Sequence, residues 1–163
     1  MNKEDEKMLE DIKLDSAKQV YKFMCESLES RGLEFGKEED ELIVHFGVLC
    51  DNKPMQIILT VDIERQLIRL MSPMPFKIGE SKRIEGAIAT CAASFGMVDG
   101  SFDYDISNGS IVFRMTSSFM DSSIGKGLFD YMINCSCAMV DNYYTMFLEL
   151  DKDLIGVDKF INY

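Results

Sequence analysis

The stretch from Ser101 to Met115, SFDYDISNGSIVFRM, contains the clearest structural signal in the chain. Apolar side chains occupy alternate positions on both sides of Asn108-Gly109, namely Phe102, Tyr104 and Ile106 before it and Ile111, Phe113 and Met115 after it. This alternation has the period of a half-buried strand, and Asn-Gly is the preferred pair for a two-residue type I′ turn. The stretch therefore predicts an antiparallel hairpin that directs Asp103 and Asp105 to solvent.

Strand patterns of the same period precede the hairpin. The predicted strands run from Leu42 to Val48, from Met55 to Val61 and from Arg65 to Ser72, and the segment from Glu34 to Glu38 is a candidate for a short edge strand. The connections, Asp51–Pro54 and Asp62–Glu64, are short, and this favours an antiparallel meander. We expect Pro73 and Pro75 to end the third strand, because proline lacks a backbone donor.

The remaining segments have the period of helices. The predicted helices run from about Glu4 to Arg31, from Glu80 to Met97, from residue 125 to Leu150 and, as a short last helix, from Asp153 to Ile161. Their apolar stripes are Leu14, Ala17, Tyr21, Met24 and Leu28 in the first, Ile84, Ala87, Ile88, Cys91 and Phe95 in the second, and Leu128, Met132, Cys135, Met139, Tyr143, Met146 and Leu150 in the third. Gly32 is a stop signal for the first helix, and Asp121–Ser123 offers N-cap candidates for the third.

The order of these elements is α-β-β-β-α-β-β-α, which predicts a two-layer α+β fold with helices packed on an antiparallel sheet. A length of 163 residues fits one domain, 1–163, in which residues 1–8 are expected to be frayed and residues 125–150 form the long C-terminal helix. A chain of this length buries roughly 70% of its unfolded surface, so its core needs no disulfide or metal.

The chain is acidic, with a net charge of −11 from 28 acidic and 17 basic side chains. This charge repels phosphate backbones and anionic lipid, which argues against nucleic acid and membrane surfaces as partners. It serves either solubility alone or the attraction of basic and neutral polypeptides. The five cysteines do not indicate a disulfide framework, and no signal peptide or membrane span is recognisable, so a cytoplasmic location is expected.

No set of residues has the spacing of a catalytic, metal or cofactor site. His45 is the only histidine, and no serine, cysteine or carboxylate is tied to it by spacing. Cys135 and Cys137 diverge by about 200° around a helix, so they cannot grip one metal ion together. Gly125-Lys126-Gly127 lacks the other residues of a phosphate-binding loop. We therefore predict a chain without catalytic residues, bound metal or cofactor.

The second face of the predicted sheet is less polar than a two-layer protein requires. Ile43 and Ile58 point away from the main apolar sets of their strands, to the face that is expected to meet water. They are either isolated surface residues, which are common, or part of a protein interface. The candidate partner or dimer surface consists of Ile43, His45, Ile58, Thr60, Arg69 and Met71.

Several segments resemble the YbjN-type family of small bacterial proteins, described as sensory transduction regulators. The segments are 55–62 (MQIILTVD), 99–105 (DGSFDYD), 111–116 (IVFRMT), 129–132 (FDYM) and 140–143 (VDNY), and the likeness extends from about Asp15 to Leu150. It implies a fold similar to that of class I type III secretion chaperones. Those are small acidic dimers that bind extended client segments in apolar grooves and by strand addition. The resemblance implies no catalytic residue.

Three hypotheses about function follow from these patterns. We expect a non-enzymatic, homodimeric binding protein, chaperone-like or regulatory, with a protein partner. The alternative is a small-molecule-binding protein or an enzyme in which folding brings His45, Cys50 and carboxylates together. A third hypothesis is a subunit of a larger assembly without an activity of its own. A deep pocket that holds His45 beside an acid or a thiol would favour the second hypothesis.

Overall fold

The structure is a computed structural model that describes residues 3–50 and 53–162. The helices are α1 (Lys3–Ser30), α2 (Arg83–Phe95), α3 (Lys126–Asp151) and α4 (Asp158–Ile161), with a 3₁₀ turn at Glu80–Lys82 before α2. The strands are β1 (Gly36–Glu38), β2 (Ile43–Cys50), β3 (Lys53–Asp62), β4 (Leu67–Lys77), β5 (Ser101–Asp105) and β6 (Ser110–Ser118). Of the turn predicted at Asp51–Pro54, Lys53 and Pro54 belong to β3, and residues 51 and 52 lie outside the described residues.

All six strands form one antiparallel sheet in the order β1-β2-β3-β4-β6-β5. One face of this sheet carries the core, because every second residue of the long strands is buried beneath the helices, as at Ile57, Leu70 and Phe113. The expected α+β fold with helices on an antiparallel sheet is confirmed, and the segment before β2 does supply a short edge strand. Within the ranges that the structure describes, no helix is both long and apolar enough to span a membrane.

The predicted hairpin is present, but its turn is longer than the sequence suggested. Asp105 pairs with Ser110, which leaves a loop of four residues, Ile106–Gly109. The backbone N–H of Gly109 donates to the carbonyl of Asp105 at 2.7 Å, and Gly109 has a φ of +77°, which favours glycine. The carboxylate of Asp105 accepts hydrogen bonds from Ser107 and Asn108 and so holds the longer loop together. Asp103 and Asp105 are exposed, as predicted.

The prediction that Pro73 and Pro75 end the third strand of the meander is wrong, since β4 continues to Lys77. The prolines instead end its pairing on one side. Pairing of β3 with β4 stops at Ile58 and Met71, whereas pairing of β4 with β6 continues past Pro73 and reaches Lys77 after a bulge. A proline is tolerated in a strand where no ladder hydrogen bond is required from it, so β4 simply leaves β3 at this point.

Helices α1 and α3 pack on each other and on the sheet. Helix α1 ends as predicted, at Gly32 with a φ of +69°, where the N–H of Leu33 donates to the carbonyl of Leu28. The predicted N-cap at Asp121–Ser123 is wrong, because Asp121 has a φ of +52° and Gly125 occupies the N-cap position of α3. The deepest residues of α3 include four that lie off its predicted stripe, namely Phe129, Ile133, Val140 and Phe147.

Candidate functional site

The sheet face that no helix covers brings the predicted surface residues together. Antiparallel pairing places Thr60 between Ile43 and Arg69, and Ile58 between His45 and Met71. These two neighbouring rows form the open-sheet patch, which consists of Ile43, His45, Ile58, Thr60, Arg69 and Met71. His45 is exposed and the other five are half-buried. The patch is therefore a continuous surface in which apolar and polar side chains alternate.

The charges next to the open-sheet patch are compensated within the sheet. Arg69 lies 3.9 Å from the carboxylate of Asp62. Arg114 of β6, which pairs with Met71 of β4, makes a bidentate contact with Asp103 at 2.6 and 3.0 Å. A bidentate arginine–carboxylate pair is geometrically fixed, so Arg114 borders the patch as a rigid group. This face therefore lacks the acidic excess of the whole chain. An approaching polypeptide contacts apolar side chains and charges that are already ion-paired.

The alternative site around His45 is not assembled. The imidazole lies on the open face against Gly36 of β1, whereas Cys50 is five residues along β2 and belongs to the opposite face, because successive residues of a strand alternate. Among the described residues, no group of three or more His, Cys, Asp or Glu side chains is arranged to hold a metal ion. The structure therefore does not bring the predicted His45–Cys50 combination together.

Cys25, Cys135 and Tyr131 are held in their protonated forms. Burial raises the pKa of the Cys25 and Cys135 thiols, and a thiol is a good nucleophile only as the thiolate. The hydroxyl of Tyr131 donates a hydrogen bond to the carboxylate of Asp99, which raises the pKa of Tyr131 to about 12. None of these groups is activated for proton transfer or attack near neutral pH.

A second apolar surface lies on α2. The side chains of Ile84, Ile88 and Phe95 are 64%, 45% and 94% exposed, Cys91 is exposed, and Val98 just beyond the helix is 94% exposed. The buried residues of α2 are instead small or polar, namely Gly86, Ala89, Thr90 and Ala93. We call the set Ile84, Ile88, Cys91, Phe95 and Val98 the α2 face.

The sequence predicts the apolar stripe of α2 but does not distinguish a surface stripe from a core stripe. Its residues recur at intervals of four, three and four, which is the spacing of a helix seam and is equally suitable for a core. The feature that distinguishes the two lies on the opposite side of α2. There Gly86, Ala89 and Ala93 are small, so this side of the helix can approach the sheet closely. A Cβ at Gly86 would lie 2.7 Å from the hydroxyl oxygen of Tyr104 on β5.

Comparison with known proteins identifies the fold. No family model and no curated protein matches the chain in sequence. The crystal structure of the ExsC–ExsE complex aligns with a TM-score of 0.58 and 15% identity, over 79% of this chain and 93% of the other. The crystal structure of YbjN from E. coli aligns with a TM-score of 0.54 and 12% identity, over 74% of this chain and 84% of the other. The resemblance of the fold to YbjN is thus confirmed, and the same fold occurs in the ExsC–ExsE complex.

Proposed function

We propose that this chain is a non-enzymatic binding protein, chaperone-like or regulatory, that holds a polypeptide partner on its open-sheet patch. The observation that carries the proposal is the convergence of Ile43, Ile58 and Met71 in two adjacent rows of one uncovered sheet face. A polypeptide would remove this apolar area from water, at about 25 cal/mol per Å² of apolar surface buried. Thr60 and His45 supply polar contacts that set orientation.

The chemistry of the chain supports binding rather than catalysis. Acid–base and nucleophilic mechanisms need titratable groups whose pKa lies close to the working pH. Here the thiols of Cys25 and Cys135 have raised pKa values, and His45 has no thiol beside it. One solved structure with this fold is a complex of two proteins, which also favours a polypeptide ligand.

The α2 face serves, in this proposal, as the contact between two copies of the chain. Its 4-3-4 spacing forms a straight seam on a helix, and two such helices pack against each other at a shallow angle with their side chains interleaved. A two-fold axis uses the same surface on both copies, so one apolar face is sufficient. The dimer then leaves the open-sheet patch for the partner, because α2 packs on the helical side of the sheet.

The experiment is a quantitative capture from lysate of the source organism, with immobilised wild-type chain compared with Ile58→Glu. The substitution places a charge in the centre of the open-sheet patch without touching the core, so we expect loss of a specific set of captured proteins. The matched control is Leu154→Glu, which introduces the same charge at an exposed leucine between α3 and α4.

Proteins that are lost with Ile58→Glu and retained with Leu154→Glu are the partners that the proposal requires. If mass spectrometry finds the same proteins at the same abundance on all three chains, the open-sheet patch is not a binding surface. Circular dichroism of the three chains verifies that each is folded before the comparison is made.

A further inference from the structure

A cleft of about 600 Å³ opens where β3 and β4 separate. It is lined by Pro54–Gln56 of β3, by Pro73–Lys77 of β4 and by Ser110–Val112 of β6. Residues of both sheet faces line it, including the buried Met55 and Met74, so the opening reaches from the open face to the edge of the core. We call this feature the fork cleft. It adjoins the open-sheet patch at Met71, the last residue of β4 that pairs with β3.

The fork cleft results from the positions of the prolines in the pairing of β3 with β4. Ile58 pairs with Met71, and the same register two and four residues further along would place Gln56 opposite Pro73 and Pro54 opposite Pro75. Proline has no N–H, and the ladder cannot continue through these positions. The hydroxyl of Ser72 replaces the missing donor and gives a hydrogen bond of 2.9 Å to the carbonyl of Gln56. Beyond this bond the strands diverge.

The same prolines decide how the cleft can be occupied. A polypeptide that joined the sheet here as an additional strand would need N–H donors from the strand edges, and Pro54, Pro73 and Pro75 have none. The walls offer apolar surface instead, from the proline rings and Val112. Methionine side chains are unbranched and adapt to different shapes, so Met55 and Met74 suit a variable apolar guest.

The charge at the rim of the fork cleft indicates which type of residue lies next to the bound apolar side chain in the partner. Among the residues that the structure describes, Lys77 lines the fork cleft and no carboxylate does, although the chain as a whole carries a net charge of −11. The pKa of Asp105, at the nearby hairpin, is lowered mainly by hydrogen bonds from Ser107 and to a smaller extent by the charge of Lys77. A carboxylate on a partner segment is matched to the ammonium group of Lys77.

We propose that the fork cleft binds one apolar side chain of an extended partner segment that carries an acidic residue next to it. This inference rests on the proposed function and adds to it the chemistry of the segment. The apolar side chain enters between β3 and β4, while the backbone of the segment crosses the open-sheet patch. The neighbouring carboxylate pairs with Lys77.

Methionine methyl NMR of the intact chain tests the inference, because Met55 and Met74 report on the cleft and Met71 reports on the patch. The probe is a synthetic peptide of alternating serine and threonine with one central leucine followed by aspartate. We expect it to shift the methyl signals of Met55 and Met74. The same peptide with serine in place of leucine is expected to shift neither, and lysine in place of aspartate to weaken binding about threefold, the size of one exposed ion pair.

Two tryptophan substitutions on β6 serve as a test variant and its matched control. Val112→Trp fills the fork cleft from the open face and is expected to abolish the shifts of Met74. Thr116→Trp places the same ring on the same face of β6, beyond the cleft, and is expected to preserve them. If the leucine–aspartate peptide at millimolar concentration moves neither Met55 nor Met74, the inference is wrong.

The outcomes separate this inference from the proposed function. If the peptide shifts Met71 alone, and capture still depends on Ile58, the open-sheet patch binds polypeptide and the cleft does not. If the signals of Met55 and Met74 change with protein concentration in the absence of peptide, a second copy fills the cleft, and the inference is overturned. If capture does not depend on Ile58, the proposed function itself fails.

Discussion

Gly86 is a residue at which α2 packs tightly against the sheet. An added Cβ would lie 2.7 Å from the hydroxyl oxygen of Tyr104 and 3.2 Å from Cγ2 of Ile78. The absence of a side chain therefore lets a small-residue side of the helix reach the sheet, and the large apolar residues are left on the outside.

Replacement of Gly86 by valine is expected to lower the free energy of unfolding by about 2 kcal/mol, because overpacked sites typically cost 1–3 kcal/mol. Urea denaturation followed by circular dichroism measures the change. Gly96→Val is the control, since a Cβ at Gly96 has no atom within 4 Å. That variant is expected to change stability by less than about 0.5 kcal/mol. Equal losses for the two variants would show that close packing at Gly86 is not the cause.

Helix α2 is unusual among the secondary-structure elements because its apolar side is exposed to solvent. Helices normally direct such a stripe into the core, and a stripe that stays in water marks a contact with another polypeptide. Ile161 of α4 is also exposed and borders the same surface as Ile88 and Phe95. The stripe therefore continues across two helices.

We expect the wild-type chain to have twice its monomer mass of 18.6 kDa at micromolar concentration, as measured by light scattering. The double variant Ile88→Glu, Phe95→Glu is expected to have the monomer mass, because the two-fold axis brings the introduced charges of both copies together. Met8→Glu, at an exposed methionine near the start of α1, is the control and is expected to remain dimeric. A wild-type chain that stays monomeric at all micromolar concentrations would contradict the α2 dimer.

The strands were predictable because alternation records which face is buried, and the same alternation fixed the register that gathers Ile58, His45 and Met71 into one patch. The extension of β4 past Pro73 was not predictable, because the effect of a proline depends on which side of the strand has a pairing partner. The loop of the hairpin was missed for a related reason, since Asn108-Gly109 fits a two-residue turn unless Asp105 stabilises a longer one. The α2 face was not predictable, because it depends on the packing of Gly86 against Tyr104 and Ile78, and no periodic pattern in the sequence links these residues to Gly86.

At the scale of the whole molecule, charge and apolar surface are separated. The helical side begins with Glu4, Asp5 and Glu6 in the first turn of α1 and carries much of the acidic excess. On the open face of the sheet, Arg69 and Arg114 are matched by Asp62 and Asp103. Electrostatic repulsion between acidic chains is thus concentrated away from the open-sheet patch, and this face can approach a neutral polypeptide without a large electrostatic penalty.

Calorimetric titration of a captured partner into the purified chain tests the binding claim most directly. We predict a negative heat-capacity change for wild type, the mark of apolar area removed from water, and a Kd at least about tenfold weaker for Ile58→Glu, which corresponds to about 1.4 kcal/mol. The Kd of Leu154→Glu is expected to equal that of wild type. Identical Kd values for all three chains, with a heat-capacity change near zero, would contradict the claim that the uncovered sheet face binds the partner.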